Sequence, residues 1–288
     1  MTNFIFILTE GDHDVAFLYR ILKANGIKTH NIAIKDYPEP INKMFIKDLS
    51  FSVNEELNID AVNSIFLPHR VMRKDDNILC IYKTVGDTQE EKRKKIVKTI
   101  DEFIPVDPDE INVADNSTFS MLFFFDADKR GVNNRLAQVK DELKAVLNDE
   151  SVKNVNNKEI IKIRNMNIGL FVFTGEDNNT GSLEDILIAL MKKGNEDIFI
   201  EAEKFLDIHE KTALFKDKIE YDVDKAKNKI NGEKYYYKKS LVGTVGQLQM
   251  SGKSNTVCIT DADYLTDEKI KSEKVCNEII SFIKKVMI

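Results

Sequence analysis

No stretch of this sequence stays apolar for the length of a membrane span, so nothing in it reads as an integral membrane segment. Cysteine is scarce. Cys80, Cys258 and Cys276 are odd in number, scattered and without CxxC spacing, which argues against structural zinc and for a reducing cytoplasm. Histidine is equally thin: His13, His30, His69 and His209 show neither HExxH nor any paired spacing. The stretch Gly246 to Ser254 comes near a P-loop, but Gln247 to Ser251 put one residue too many between its glycines, and no long helix follows the serine. This argues against Walker-type nucleotide binding and leaves Gly252-Lys253-Ser254 as a loop able to touch a phosphate. There is no solenoid-type repeat. The net charge of −6 argues against a protein that coats DNA, yet leaves a nuclease open, because catalytic carboxylates push the balance negative themselves. No basic region precedes the first apolar run and acids follow it at once, so that run reads as a buried strand and not as a signal peptide.

The 288 residues suffice for one large domain or a domain with an elaboration, and 42% hydrophobic with 31% charged content is that of an ordinary soluble protein. Residues 4–8, 78–85, 119–125, 168–173 and 256–260 read as strands, with a short one at 31–35. Helices are expected at 13–25 (Phe17, Leu18, Ile21 and Leu22 inward, Gly26 the stop), 88–103, 132–147 (Leu136, Val139, Leu143 and Val146 inward) and 183–193. Ser182 is the N-cap of the last of these, with Asp185 at the reciprocal position. Residues 36–76 read as irregular with one or two short helices, 196–240 as mainly helical, and Thr266 as the cap of a C-terminal helix ending in Lys284-Lys285. Strands alternating with helices imply an α/β domain with a mostly parallel sheet flanked by helices. It spans 1–288, carries an insertion at 36–118 and adds a mainly helical C-terminal extension at 196–288.

The acids are placed informatively. Glu10 follows the run Phe4 to Leu8, and Asp14 lies one helical turn later. Asp126-Ala127-Asp128 directly follows Leu122-Phe123-Phe124-Phe125, and Glu184-Asp185 follows Gly181-Ser182. Strand C-termini in an open α/β sheet meet at one edge, where ligands bind. Strand periodicity would put Asp126 and Asp128 on one side. Gly11 and Gly181 would allow close backbone approach. A crowd of carboxylates repels itself, and Mg²⁺ relieves this with a few carboxylates, waters and phosphate oxygens. The plainer alternative for each acid is a cap or loop residue at a strand-to-helix turn.

Glu10-Gly11-x-x-Asp14 after a first strand, then Asp126-x-Asp128 after a later one, resembles the TOPRIM family. The Gly181-Ser182-Leu183-Glu184-Asp185 step is similar to the branch of stand-alone TOPRIM-like proteins and nucleases of the overcoming-lysogenisation-defect type. The resemblance implies divalent-metal phosphodiester chemistry with Mg²⁺ or Mn²⁺, two ions in number. Glu10 would be an acid/base or metal residue. Asp126 and Asp128 would be metal ligands, joined by Asp14 and Glu184. A later lysine would steady the transition state, with Lys239, Lys253 and Lys238 as candidates. The chain departs from the compact pattern. Position 130 is Arg where a third aspartate would stand, which speaks against a topoisomerase or primase. No catalytic tyrosine is identifiable, and the ATPase module of the lysogenisation-defect proteins is missing.

Two metals about 4 Å apart would clamp the attacking and leaving oxygens of an in-line displacement. Lys225 to Lys239, with Tyr235 to Tyr237 embedded, could bind single strands by charge and stacking through Lys234, Tyr236 and Lys238, or could be a helix packed on the sheet. Lys92 to Lys98 reads as a solvated helix face. Asp261-Ala262-Asp263 is a second acidic edge, the metal site itself, or more simply a turn. His13 reads as an exposed early-helix residue. The expected function is a cytoplasmic, metal-dependent nuclease on DNA or RNA, an anti-phage defence effector working with a separate ATPase, and a candidate homo-oligomer. The alternatives are a non-catalytic TOPRIM-fold regulatory protein and a phosphotransfer or nucleotide-processing enzyme.

Overall fold

The computed structural model describes residues 1–47, 67–84, 90–104, 117–209 and 237–288. Its centre is a seven-stranded sheet in the order β2-β3-β4-β1-β5-β7-β6. The four central strands are parallel: β4 (Asn77–Lys83), β1 (Thr2–Thr9), β5 (Ser117–Asp126) and β7 (Met166–Phe173). The edges are antiparallel, with β2 (Lys28–Thr29) and β3 (Arg70–Lys74) on one flank and β6 (Ile160–Ile163) on the other. The chain is therefore α/β with a mostly parallel sheet between helices.

Strand alternation sorts the core into two layers. Ile5, Ile7, Leu79, Ile81, Leu122, Phe124, Phe171 and Phe173 face α1 (Asp12–Ala24) and the helices of the C-terminal half. Phe4, Phe6, Leu8, Ile78, Cys80, Tyr82, Met121, Phe123 and Phe125 face α2 (Ile41–Lys47), α3 (Glu90–Glu102) and α4 (Val132–Leu147). Both faces of every central strand are thus apolar, which is why Phe4 to Leu8 and Met121 to Phe125 read as unbroken hydrophobic runs. At the opposite edge from the acids, Asn3 donates to Asn77 Oδ1 (2.7 Å) and to the Val286 carbonyl (2.7 Å), and Asn77 donates to the Ile288 carbonyl (2.8 Å). These buried amides tie the last helix beneath the strand starts.

Three local expectations are corrected. Residues 31–35 are not a strand: Ile34–Asp36 form a 3₁₀ turn, and the edge pairing falls earlier, at β2. Residues 256–260 are helical, within α8 (Asn255–Asp261). Ser254 accepts from the Val257 N–H, and only Cys258 and Ile259 are buried, so one helix face carries the apolar content. Packing overrode the β-rich composition of Thr256 to Thr260. Arg20 of α1 donates to the Thr260 carbonyl and, at 2.6 Å, to that of Leu265. The C-terminal helix is two: α9 (Asp267–Ser272), capped by Thr266, and α10 (Lys274–Lys284). The flanking antiparallel strands β3 and β6 were not expected. Residues 48–66, 85–89, 105–116 and 210–236, with the expectations that fall on them, lie outside the described residues. Among the described residues no helix is long and apolar enough to cross a membrane.

Candidate functional site

β1 and β5 run parallel and in register, Thr9 level with Phe124, so Glu10 and Asp126 leave the same edge on neighbouring strands. Gly11 precedes α1, and its N–H donates to Asp14 Oδ2 at 2.6 Å, which turns Asp14 back over the strand end. Gly11 has φ −142° with ordinary room for a Cβ. β5 ends at Asp126, level with Phe173 of β7. The loop after β5 is zipped to the loop after β7: Asp128 N–H donates to the Gly181 carbonyl (2.7 Å), Gly181 N–H returns to Asp128 (3.0 Å), and Val132 N–H donates to Asn179 (3.0 Å). Asp128 takes a left-handed φ of 50°, so strand periodicity, which would align it with Asp126, has stopped.

Gly181 is required by its backbone. Its φ is +115°, and a Cβ would lie 2.4 Å from the Gly175 nitrogen and 2.8 Å from Asp185 Oδ2. Gly181→Ala is expected to cost about 2–3 kcal/mol in chemical denaturation, because neither the dihedral nor the contact can relax without parting the two loops.

Past this zipper, α5 (Leu183–Lys192) starts with the expected reciprocal cap, the Ser182 N–H donating to Asp185 Oδ2 at 2.9 Å. The Leu183 N–H donates to Asp126 Oδ1 at 2.7 Å, fixing the strand-end acid against the helix start. Glu184 is buried, and its Oε1 lies 3.0 Å from His13 Nδ1 and 3.7 Å from Lys239 Nζ. Glu10, Asp14, Asp126 and Glu184 therefore act on one another. Burial, with the Glu10 and Glu184 charges, pushes Asp14 up to about 8 against the help of the Gly11 N–H. Burial, then Asp14, Glu10 and Glu184, raises Asp126 well above the usual carboxylate range. Burial also works against the charge on Glu184, but the His13 hydrogen bond and Lys239 outweigh it and bring it down to about 2.

Sequence reasoning missed Arg135 and undervalued His13. Arg135 Nη2 lies 2.8 Å from Glu10 Oε1 and 2.9 Å from Asp128 Oδ2, and its Nε donates to the Asp126 carbonyl at 2.8 Å. The signal was present: Arg135, Val139 and Glu142 lie on the inward stripe of α4, where a charge is unexpected. His13 is not a solvated helix residue but a partner of Glu184.

The remaining candidates separate. Lys239 reaches the acids through Glu184, whereas Lys238 is engaged by both oxygens of Asp185 (2.6 and 2.7 Å). Both stand at the start of α7 (Tyr237–Gly246). Lys253 lies on the exposed turn before α8, its N–H on the Met250 carbonyl. Lys234 and Tyr236 lie outside the described residues. Asp261 ends α8, and the Asp263 N–H is taken by Gln249 Oε1 (2.7 Å) in a 3₁₀ turn, so the second Asp-Ala-Asp is not at the strand edge.

A hard divalent cation suits this donor set, which is all oxygen and crowded with acids. As the side chains lie, each acid is held by a hydrogen bond or ion pair, and among the described residues no three acids, histidines or cysteines converge as a metal-holding group. Loading would require carboxylate rotations.

A solved structure, described as a hypothetical protein PH0156 from Pyrococcus horikoshii OT3, is similar over 99% of this chain and 95% of that one, at 16% identity and a TM-score of 0.51. That likeness is one of fold. No curated protein matches the chain. The model of a family described as a protein of unknown function, DUF3226, matches residues 5–287, and the chain belongs to that family.

Proposed function

We propose that this protein is a divalent-metal-dependent nuclease that hydrolyses phosphodiester bonds in DNA or RNA. The observation that carries the reading is the gathering of Glu10, Asp14, Asp126 and Glu184 at the C-terminal edge of a parallel sheet, where burial first and the neighbouring charges second push Asp14 and Asp126 up. A protein that keeps buried carboxylates raised in this way has a use for a cation that lowers them. The TOPRIM resemblance supplies the reaction class.

Asp14, Asp126 and Glu184 would hold the ion, which supplies charge to the attacked phosphate and a water of lowered pKa. Glu10, fixed by Arg135, would orient the attacking water and take its proton as that oxygen bonds to phosphorus and the sugar oxygen leaves, protonated from solvent, as a hydroxyl. Lys239 adds a positive charge beside Glu184 against the charge growing on the phosphate. His13 keeps Glu184 turned inward. Lys238, engaged by Asp185, belongs to the rim and not to the chemistry.

One observation favours a second reading, a regulatory TOPRIM-like protein acting with an ATPase: Glu10, Asp14, Asp126 and Glu184 each already have a hydrogen-bond or ion-pair partner within the chain. Cleavage of plasmid, single-stranded DNA and total tRNA in Mg²⁺ or Mn²⁺ separates the two. Metal-dependent cleavage by wild type, lost in Glu10→Ala/Asp126→Ala, is the expected result and also chooses the nucleic acid. Ion binding without cleavage of any substrate would favour the regulatory reading.

A further inference from the structure

We propose that Arg135 is the second cation of the centre. The site takes one divalent ion, on the Asp14, Asp126 and Glu184 side, and the guanidinium stands where another ion would bridge Glu10 and Asp128. The inference rests on the metal-centre reading above and replaces its two-ion form.

One nitrogen of Arg135 serves both acids, at 2.8 Å to Glu10 Oε1 and 2.9 Å to Asp128 Oδ2, the lengths of charge-assisted bonds. The other two nitrogens are committed as well, Nε to the Asp126 carbonyl (2.8 Å) and Nη1 to Gln138 Oε1 (2.9 Å). The mounting continues along α4. Gln138 Nε2 donates to Glu142 Oε1 at 3.0 Å, and Arg93 of α3 grips Glu142 through Nε (2.8 Å) and Nη2 (2.6 Å). The Phe125 ring lies 5.7 Å from the Arg135 guanidinium and 5.5 Å from that of Arg93. The Arg135 side chain is 2% exposed.

A side chain held this way is not a placeholder that swings out when an ion arrives. Leaving would strand a buried positive charge and break four contacts together. While it stays, an ion bridging Glu10 and Asp128 would sit in contact with a fixed positive charge, which opposes binding. The other acids have a different surrounding: Asp126 Oδ1 and Asp14 Oδ2 face backbone N–H groups, and Glu184 faces His13 and Lys239. Arg135 is accordingly a positioning residue. It holds Glu10 for proton transfer and meets no substrate itself.

The test is a count of bound Mn²⁺ per full-length chain, from the paramagnetic resonance of the free ion, with cleavage assayed separately. Wild type is expected to bind one ion. Arg135→Met, which frees Glu10 and Asp128, is expected to bind two. Should that variant fail to fold, Asp128→Asn decides, since it removes a carboxylate without exposing or stranding Arg135. It is expected to bind one ion with an affinity within about threefold of wild type. Two ions on wild type, one ion on a folded Arg135→Met, or lost binding in Asp128→Asn would overturn the proposal. Two ions with cleavage would overturn this inference alone, whereas no ion and no cleavage would overturn the metal-centre reading with it.

Discussion

Asp126→Asn is expected to lower metal-dependent cleavage by about 10²–10³-fold, the usual cost of losing one electrostatic group at a phosphate-transfer centre, while the protein stays folded. The substitution is nearly isosteric. The Leu183 N–H, which donates to Asp126 Oδ1 at 2.7 Å, finds the same acceptor in asparagine. What disappears is the charge, and Asp126 is an acid that burial and three neighbouring carboxylates already push upward. Removing it relieves the fold and weakens the ion. The matched control is Asp263→Asn. Asp263 is exposed in a 3₁₀ turn after α8, and its substitution should leave the rate within about twofold, as surface changes do. Equal losses in the two variants would point to a general effect of charge and not to a centre at β5. Single-turnover cleavage, with circular dichroism as the check on folding, makes the comparison.

Asp14→Asn is expected to stabilise the metal-free protein at alkaline pH, and the sign follows from linkage. Asp14 moves from an ordinary 3.8 to about 8 in the fold. Between those values the folded chain holds a proton that the unfolded chain has released, so stability falls as pH rises through that window. Below it both states are protonated and nothing is lost, and above it the full penalty applies. Asparagine keeps an acceptor for the Gly11 N–H and removes the charge. A gain of about 2–4 kcal/mol at pH 8, shrinking toward pH 4, is the expected outcome of urea denaturation in EDTA. A gain that does not depend on pH would mean that packing and not ionisation explains it. The same variant should lose cleavage, since the acid that strains the fold is the acid proposed to hold the ion.

The parts of this fold that were legible in the sequence are those where local and tertiary demands agree. Phe4 to Leu8 and Met121 to Phe125 could only be central strands, because buried parallel strands need apolar residues on both faces. α4 falls at the expected 132–147, and Ser182 with Asp185 announced α5. The flanking strand β3 was hidden by its own chemistry: Arg70 to Lys74 places charges at both ends of a five-residue strand that the two residues of β2 cover only in part. Residues 256–260 carry β-branched side chains that a strand would favour, but Gly246, whose Cβ would lie 2.8 Å from Cys258 Sγ, lets α7 close on them as a helix. At the site, the order of Glu10, Asp14, Asp126 and Glu184 was visible, because strand ends and helix starts carry their own signals. Arg135 was not. Its place one helical turn before Val139 hints at burial, but only the meeting of α4 with the end of β5 reveals which carboxylates it serves.

The most direct measurement of the central claim, that a metal ion at this edge acts on the phosphate, is cleavage of a phosphorothioate strand beside its ordinary phosphodiester counterpart. Sulfur is a poor ligand for Mg²⁺ and an acceptable one for Mn²⁺. Cleavage should fall steeply in Mg²⁺ for one of the two diastereomers and recover in Mn²⁺, with the ordinary strand cut in both. Equal cleavage of sulfur and oxygen strands in Mg²⁺, or a loss that Mn²⁺ does not restore, would contradict the account.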